Sequence, residues 1–482
     1  MGKPTGFTEY RREEPPHRTV AERIRDYSEI GLPLPEDALG RQAARCMDCG
    51  IPFCHGLGCP LQNRIPEFND LVYRGRWREA CENLHVSNNF PEITGRLCPA
   101  PCEAACTLNI NREPVLIRQI ELEVAERGFA EGWIKPQPAA RKSGRRVAVV
   151  GSGPAGLAAA QQLARSGHDV VVFERDNNIG GLLRYGIPDF KLDKRIIDRR
   201  IEQMRAEGVD FQTGVTIGED ISPKYLRHRF DAVLLAIGAS QPRDLLVPGR
   251  GLENIHFAME YLSQQNRVNA GEALGEAQRI DARGGTVAVI GGGDTGSDCV
   301  GTARRQGAKE IYQFEILPKP PQNANPQTPW PLWQQILRTS TSQEEGCIRR
   351  WSVLTRRFTG IGVRVSQLHG CEVQWSQASG RWEMKEIPGT EFTLDVDLVL
   401  LALGFTHVMH DHLVEKLGLK LDAKGNLAAD PDYRTSDPGI FAAGDSVWGA
   451  SLVVRAIAAG RGAAASIDRW LESLRGGPQN RS

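Results

Sequence analysis

The feature that most constrains the fold of this chain is a concentration of cysteines between residues 46 and 106. One run has the spacing C-x2-C-x4-C-x4-C-P and the next has C-P-x2-C-x3-C, which is typical of segments that bind two iron–sulfur clusters. Structural zinc also uses C-x2-C pairs, and the spacing alone leaves it open. We therefore expect a small domain held together by metal, in which clusters would carry single electrons. The seven residues are Cys46, Cys49, Cys54, Cys59, Cys98, Cys102 and Cys106.

The length of 482 residues exceeds what one hydrophobic core usually serves, and it indicates about three domains. Lys plus Arg equals Asp plus Glu at 59 each, so no excess charge draws the chain toward nucleic acid or an anionic membrane. The N-terminus lacks the apolar core of a signal peptide, and no stretch reaches about 18 apolar residues. The odd total of 11 cysteines does not suit a secreted disulfide framework. We therefore predict a cytoplasmic protein with no nucleic-acid or membrane partner.

Apolar periodicity predicts amphipathic helices over residues 68–84 and 113–127, within the cysteine-rich part. The segment 135–145 is rich in Pro, Lys, Arg and Ser, which indicates a linker before a new domain. Prolines recur through 317–359, and this pattern predicts a long irregular insertion.

A first glycine-rich turn begins the part of the chain after the linker. An apolar strand at 147–150 runs into G-x-G-x-x-G, and a helical pattern at 155–165 returns to a strand that ends at Glu174. The first glycine permits the tight turn, the second lets the backbone approach a pyrophosphate, and the third allows close helix packing. The carboxylate can accept hydrogen bonds from an adenosine ribose. These features predict a dinucleotide site at Gly151, Gly153, Gly156 and Glu174.

A second turn repeats this plan further along the chain. A strand at 286–290 leads into the turn, a helix continues to residue 306, and the next strand ends at Glu315. Two dinucleotides are therefore expected in one chain. The residues of the second turn are Gly291, Gly293, Asp294, Thr295 and Gly296.

Near the C-terminus, the segment G-I-F-A-A-G-D ends in Gly444 and Asp445 and is followed by a helix from about Ser451. An acid and a helix N-terminus at this point suit the second half of the first nucleotide, with Asp445 beside the ribityl chain of a flavin. Asp445 as a mere cap of that helix remains an alternative.

The whole set of motifs resembles the flavoprotein reductases that bind two dinucleotides. With the cysteine-rich domain in front, residues 20 to 470 are similar to the glutamate synthase small (β) subunit family and to the N-terminal part of dihydropyrimidine dehydrogenase. The motifs that carry the resemblance are G151-S-G-P-A-G156, Glu174, the pair Gly180-Gly181, the strand 232–238, G291-G-G-D-T-G296 and G439-I-F-A-A-G-D445.

The resemblance implies an α/β fold with two Rossmann-like domains of the flavoprotein reductase type, preceded by a mainly helical iron–sulfur domain. The first turn, with Gly181, Gly444 and Asp445, would hold FAD, and the second would hold NADPH or NADH. Hydride would pass from nicotinamide to flavin, and two 4Fe-4S clusters would carry electrons outward. The implied domains are 1–134 for the clusters, 135–145 for the linker, 146–278 for the first part of the FAD domain, 279–425 for NAD(P)H, and 426–482 for the rest of the FAD domain.

Two such clusters ordinarily need eight ligands, and the cysteine runs supply seven. Cys81 lies within a helical pattern, where a buried thiol is the commoner role. Glu121 lies within the apolar stripe of its own helix, and iron would compensate its charge. A salt bridge with Arg118 or Arg112 is the alternative. By resemblance, Cys46, Cys49, Cys54 and Cys106 would hold one cluster, and Cys59, Cys98, Cys102 and Glu121 the other.

The choice of nicotinamide depends on the end of the second strand. At the end of the strand that follows the second glycine turn, an acid favours the free 2′-hydroxyl of NADH, whereas an arginine or lysine favours the 2′-phosphate of NADPH. This chain has Glu315 there. The similar proteins that are known for NADPH, including dihydropyrimidine dehydrogenase, carry arginine where Glu315 stands, so the resemblance implies NADPH less strongly here. Arg304 and Arg305, on the preceding helix, are the remaining candidates for binding a phosphate. We therefore favour NADH without excluding NADPH.

Hydride transfer between cofactors needs positioning and no protein acid or base, so we predict no catalytic side chains. The resemblance implies the electron-input subunit of glutamate synthase, which would serve a large (α) subunit that forms L-glutamate from L-glutamine and 2-oxoglutarate. Full glutamate synthase, by the same resemblance, includes a glutaminase whose nucleophile is an N-terminal cysteine. Met1-Gly2 of this chain cannot supply that nucleophile. The alternatives are a flavin and iron–sulfur oxidoreductase that serves another partner, and a non-catalytic adaptor that has kept the fold.

Overall fold

In a computed structural model, the chain is described at residues 2–273, 275, 279–323, 325–378, 381–410 and 412–474. The cysteine-rich part is mainly helical. None of the helices in these ranges is long and apolar enough to cross a membrane. The helices before residue 135 are Gly6–Glu9, Val20–Arg23, Glu36–Ala44, Ile65–Tyr73, Trp77–Ser87, Pro91–Leu97, Pro101–Ala104 and Ile117–Ala130, with single turns at Cys54–Gly58 and Thr107–Ile110.

The helix predicted over 68–84 is in fact two helices, which end and begin on either side of Gly75. Gly75 has a φ of +70°, a left-handed conformation that stops a helix at little cost for glycine. Its N–H donates to the carbonyl of Val72, which closes the first helix. The prediction was wrong here because the apolar pattern continues across the break.

The first sheet has five parallel strands, in the order Ile440–Ala442, Ala232–Leu235, Arg146–Val150, Asp169–Phe173 and Val209–Gln212. Its central strand is buried, as expected for a parallel sheet that is covered on both faces. Helices Pro154–Arg165 and Val453–Ser473 pack against each other. Gly460 allows the close approach, since a Cβ added there would lie 2.1 Å from the carbonyl oxygen of Ala155. The remaining helices of this part are Leu182–Tyr185, Lys194–Ala206, Pro223–Arg229, His412–Leu417 and Asp445–Trp448.

The second sheet also has five parallel strands, in the order Ile255–Phe257, Leu398–Leu401, Thr286–Ile290, Glu310–Glu315 and Ile348–Trp351. Helices Ala258–Asn269, Asp294–Gln306 and Thr341–Glu344 accompany it. The predicted irregular insertion at 317–359 is wrong in its second half, which contributes strands to two sheets. An antiparallel sheet is built from Val353–Ile361, Arg364–Ala378, Arg381–Glu386 and Phe392–Asp395.

The second sheet is inserted into the first domain, but the predicted boundaries at 278/279 and 425/426 are misplaced. Strand Ile255–Phe257 pairs with the second sheet, whereas Val408 and Leu413 pack in the core beside the first. The chain crosses between the domains where Pro242 pairs with Phe405. Residue 278 and the predicted C-terminal end at 475–482 lie outside the described residues.

An N-terminal segment joins the inserted domain through buried charges. Glu345 accepts from Nε of Arg23 at 2.8 Å and from Nη1 of Arg305 at 2.6 Å. The side chains of Glu345 and Arg305 are 0% exposed, and that of Arg23 is 3% exposed. Arg305 also donates from Nε to the carbonyl of Asp26 at 2.9 Å. We call these three side chains, Arg23, Arg305 and Glu345, the charged junction.

Candidate functional site

The first glycine turn leaves no room for side chains at two of its three glycines. A Cβ on Gly151 would lie 2.4 Å from the carbonyl oxygen of Ala236, and one on Gly156 would lie 2.0 Å from that of Gly151. At Gly153 a Cβ would meet nothing within 4 Å. The open side at Gly153, beside the N-terminus of helix Pro154–Arg165, is therefore where a pyrophosphate can approach the backbone.

The second turn has the same construction. A Cβ on Gly291 would lie 2.2 Å from the carbonyl oxygen of Ala402, and one on Gly296 would lie 2.2 Å from that of Gly291. Gly293 faces open space, as Gly153 does. Asp294 and Thr295 begin helix Asp294–Gln306, whose N-terminus meets the turn. The chain therefore contains two glycine turns of the same construction, and phosphate binding at their residues stays a prediction.

Each turn is closed by the carboxylate that the sequence predicts. Glu174 accepts from the N–H of Ser152 at 3.1 Å and from that of Asp176 at 2.9 Å. Glu315 accepts from the N–H of Gly292 at 2.9 Å and from that of Leu317 at 2.9 Å. Both carboxylates lie at the carboxyl end of a parallel sheet, where such folds bind the ribose of a dinucleotide.

Arg304 and Arg305 do not face Glu315, contrary to the prediction that they could bind a phosphate. Arg304 donates to the carbonyl of Gly346 at 2.5 Å, and Arg305 is held in the charged junction. Gly346 precedes strand Ile348–Trp351, which runs parallel to the strand that ends at Glu315. Both guanidinium groups therefore lie toward the amino ends of these strands, opposite the nucleotide edge.

The predicted second half of the flavin site meets the first turn. A Cβ on Gly181 would lie 3.0 Å from Cα of Gly153, and one on Gly444 would lie 2.8 Å from Cβ of Ala155. Asp445 begins its own short helix and accepts from Oγ of Ser451 at 2.6 Å. Burial raises the pKa of Asp445. The next helix begins at Val453 without a side-chain cap, so Asp445 is not its N-cap.

Four of the cysteines line one cavity in the N-terminal domain. The cavity lies between the first cysteine loop and the turn at Cys106, and apolar side chains such as Ile65 and Leu108 close it. Cys49 and Cys54 are its more exposed members. We call this the first cavity, and its cysteines are Cys46, Cys49, Cys54 and Cys106.

The other predicted ligands line a second cavity. Gly58 is required beside it, since a Cβ there would lie 2.6 Å from Cα of Cys102. Val454, at the start of helix Val453–Ser473, also lines this cavity and connects it to the flavin half of the chain. The candidate ligands of this second cavity are Cys59, Cys98, Cys102 and Glu121. The structure thus divides the eight residues as the resemblance implies, and their binding of iron stays a prediction.

The buried thiols suit a metal cluster. Burial raises the pKa of Cys46 and Cys98 to about 12 and that of Cys59 to about 11. A thiolate in such a place requires a compensating positive charge, which iron provides. Within the described residues, no three His, Cys, Asp or Glu side chains form a site for a single metal ion. The candidate ligands converge in two groups of four on the two cavities, and four is the number that a 4Fe-4S cluster requires.

Glu121 is buried in helix Ile117–Ala130 and belongs to a polar network that the sequence did not reveal. Its carboxylate accepts from the amide of Asn63 at 2.9 Å, from that of Asn88 at 3.1 Å, and from the hydroxyl of Thr94. Burial raises the pKa of Glu121 to about 7. These partners come from three separate segments, so no local pattern could have identified them.

The alternatives for the eighth position are not borne out by the contacts. Arg118 donates to the carbonyl of Cys98 at 3.2 Å, and Arg112 donates to that of Phe7 at 3.2 Å, so neither forms the proposed salt bridge with Glu121. Cys81 lines neither cavity. Its thiol packs against Gly128, where an added Cβ would lie 2.6 Å from Sγ.

Two nucleotide turns on parallel sheets, behind a cysteine-lined domain, define a flavoprotein reductase that binds two dinucleotides and has an N-terminal iron–sulfur domain. Residues 145–460 match the family described as pyridine nucleotide-disulphide oxidoreductase, and residues 23–133 match dihydropyrimidine dehydrogenase domain II, 4Fe-4S cluster. The chain belongs to the glutamate synthase small-chain family. The glutamate synthase [NADPH] small chain of Mycobacterium tuberculosis is 54% identical over 475 residues, which cover 98% of this chain and 96% of that one.

Two further comparisons add to this assignment. The glutamate synthase [NADH] of Schizosaccharomyces pombe is 44% identical over 97% of this chain, which corresponds to 23% of the yeast protein. Mycobacterium tuberculosis FprA in complex with NADPH shares the fold, with 18% identity, a TM-score of 0.55, and coverage of 70% of this chain and 87% of that one. The family matches confirm FAD, NAD(P)H and 4Fe-4S as the cofactor classes and decide against zinc.

Proposed function

We propose that this chain is the electron-input subunit of glutamate synthase, which oxidises NAD(P)H at FAD and passes electrons through two 4Fe-4S clusters to a large (α) subunit. That subunit would form L-glutamate from L-glutamine and 2-oxoglutarate. The observation that carries the proposal is the presence, in one chain, of two equivalent nucleotide turns and two cavities with four candidate ligands each.

The contribution of the chain to the reaction is positioning. Bound FAD supplies the chemistry, since it takes up a hydride and can release single electrons. Gly153 and Gly293 leave their turns open to the two pyrophosphates. Glu174 and Glu315, fixed by backbone N–H groups, would accept hydrogen bonds from the two riboses. No side chain is required as a proton donor or acceptor for this step.

The order of electron transfer follows from the position of the second cavity. Val454 lines this cavity, and the residues just before it connect to Asp445 of the proposed flavin site. The first cavity contains the two candidate cysteines that are only partly buried, Cys49 and Cys54. We infer that the residues of the second cavity would hold the cluster nearer the flavin half, which would receive electrons first, and that the cysteines of the first cavity would hold the next cluster.

The large-subunit partner is supported by the coverage of the yeast relative. The fission-yeast glutamate synthase contains the counterpart of this chain as only 23% of its own length. Fusion of this region to the rest of the yeast polypeptide indicates that the two parts work together. In the present chain, we propose that a separate large subunit takes this place.

Combining the two subunits tests the proposal directly. The purified chain is expected to contain FAD and iron. NAD(P)H should bleach its flavin even when no large subunit is present. Glutamate should form from glutamine and 2-oxoglutarate only after addition of a large subunit. Full turnover with another native acceptor, and none with the large subunit, would instead establish the alternative oxidoreductase. A flavin that NAD(P)H does not reduce would leave only the adaptor role.

The nicotinamide preference is the second part of the proposal, and Glu315 carries it. We propose NADH as the donor, because the carboxylate of Glu315 occupies in the second turn the place that Glu174 occupies in the first. The names of the relatives do not decide this point, since the mycobacterial one includes NADPH and the yeast one NADH. Arginine at this position would pair with a 2′-phosphate.

Replacing Glu315 with arginine is expected to shift the ratio of kcat/KM toward NADPH by at least about tenfold, because a charged hydrogen bond contributes about 1.5–3 kcal/mol. Steady-state reduction of an artificial acceptor with each nicotinamide measures the ratio. Glu310→Arg is the control, since Glu310 is exposed at the opposite end of the same strand. An unchanged ratio in Glu315→Arg, or an equal shift in the control, would defeat the assignment.

A further inference from the structure

The insertion that follows Glu315 reaches from the nucleotide domain to the iron–sulfur domain. Its loop is held by its own hydrogen bonds, such as that from the N–H of Leu337 to the carbonyl of Pro321 at 2.8 Å. The side chain of Trp330 projects from this loop. Its indole Nε1 donates to the carbonyl of Cys106 at 3.2 Å.

The same indole also packs on the first cysteine loop. The ring centroids of Trp330 and Phe53 are 4.8 Å apart, with an interplanar angle of 54°. Phe53 directly precedes Cys54, and Pro52 lines the first cavity. Trp330 therefore contacts both chain segments that bring cysteines to this cavity, the loop of Cys54 and the turn of Cys106.

Trp330 contacts the more exposed of the two cysteine groups. Cys54 and Cys49 are only partly buried, whereas the candidate cysteines of the second cavity are all buried. A large aromatic side chain with one polar atom can exclude water and still satisfy a backbone carbonyl. The apolar surroundings and solvent access of an iron–sulfur site set its stability and potential.

We propose that Trp330 is a positioning residue for the cluster of the first cavity: it holds the two cysteine segments together and shields the site from water and oxygen. The nucleotide domain thus completes a site that belongs to another domain. This proposal rests on the proposed function, because it assumes a 4Fe-4S cluster in the first cavity.

The test compares three variants of the full chain, purified without oxygen and then exposed to air. Trp330→Ala should lose about half of its iron roughly tenfold faster than the unchanged protein, as expected when a contact around a metal site is removed. Trp330→Phe keeps a ring beside Phe53 and loses the donor, so its rate should be intermediate. Trp333→Ala is the control, because Trp333 lies in the same insertion but packs under Arg338, 4.1 Å from its ring centroid.

Iron content and the EPR spectrum of the reduced protein give the readout, and FAD content checks folding. The potential of the affected cluster should also rise in Trp330→Ala, because water stabilises the more negative reduced state. Equal rates of iron loss in Trp330→Ala and Trp333→Ala would overturn the role of Trp330. If Trp330→Ala does not fold, Trp330→Phe decides, and a rate of iron loss equal to that of the unchanged protein would overturn the role. A chain that binds no iron at all would instead contradict the proposed function.

Discussion

Replacing Cys102 with serine is expected to lower glutamate formation by more than about 100-fold, since even residues that only surround a metal site contribute up to that factor. Cys102 is buried at the second cavity, and its thiol pKa is raised well above the ordinary value by burial. Because this cavity adjoins the flavin half through Val454, loss of its cluster would interrupt the proposed electron path. Reduction of ferricyanide by NAD(P)H should persist, since flavin can serve that acceptor directly.

Cys81→Ser is the matched control, because Cys81 is an equally buried thiol that lines neither cavity. It should keep its iron and its activity with the large subunit. Iron content, FAD content and the two activities are measured on both variants. Loss of iron from Cys81→Ser together with retention in Cys102→Ser would make Cys81 a ligand and refute the division of residues between the cavities.

Removing the carboxylate of Glu345 is expected to destabilise the protein by about 3–5 kcal/mol, the usual cost of leaving a buried ionic partner uncompensated. Glu345→Ala leaves both guanidinium groups of the charged junction, Arg23 and Arg305, without their shared acceptor. The N-terminal segment and the inserted nucleotide domain should then separate more readily. The urea midpoint of unfolding, followed by flavin fluorescence and circular dichroism, measures the change.

The neighbouring residue supplies the control. Glu344 also pairs with Arg23, at 3.1 Å, but its side chain is 48% exposed. Glu344→Ala should therefore cost only about 0–1 kcal/mol, as solvent-exposed ion pairs do. If the two variants unfold at the same urea concentration, the charged junction does not hold the domains together.

The glycine turns could be predicted because residues adjacent in sequence define each of them. Gly151 and Gly291 stand directly after apolar strands, and each turn needs its spacing whatever the rest of the fold is. The division of cysteines between two cavities also agreed with the geometry, although it came from resemblance rather than from the spacing. The turn residues are close in sequence, whereas Cys106 joins cysteines of the earlier run, a grouping that no local pattern indicates.

The features that sequence reasoning missed depend on distant partners. Strand Ile255–Phe257 is three residues long, and only its pairing with Leu398–Leu401 shows which domain it joins. Arg305 resembles a solvated helix arginine until Glu345 is placed beside it. Trp330 and Cys106 are likewise far apart in the chain, so their hydrogen bond leaves no trace in a local pattern.

The insertion of one nucleotide domain into the other has a consequence for synthesis. Strand Ile440–Ala442 pairs with Ala232–Leu235 across the whole inserted domain. Until residues 440–442 have been synthesised, strand Ala232–Leu235 lacks its partner on one side, whereas the inserted domain has all the strands of its parallel sheet once residue 401 has been made. The first sheet therefore stays incomplete during much of translation. Its unpaired strand edge favours misassembly in that state.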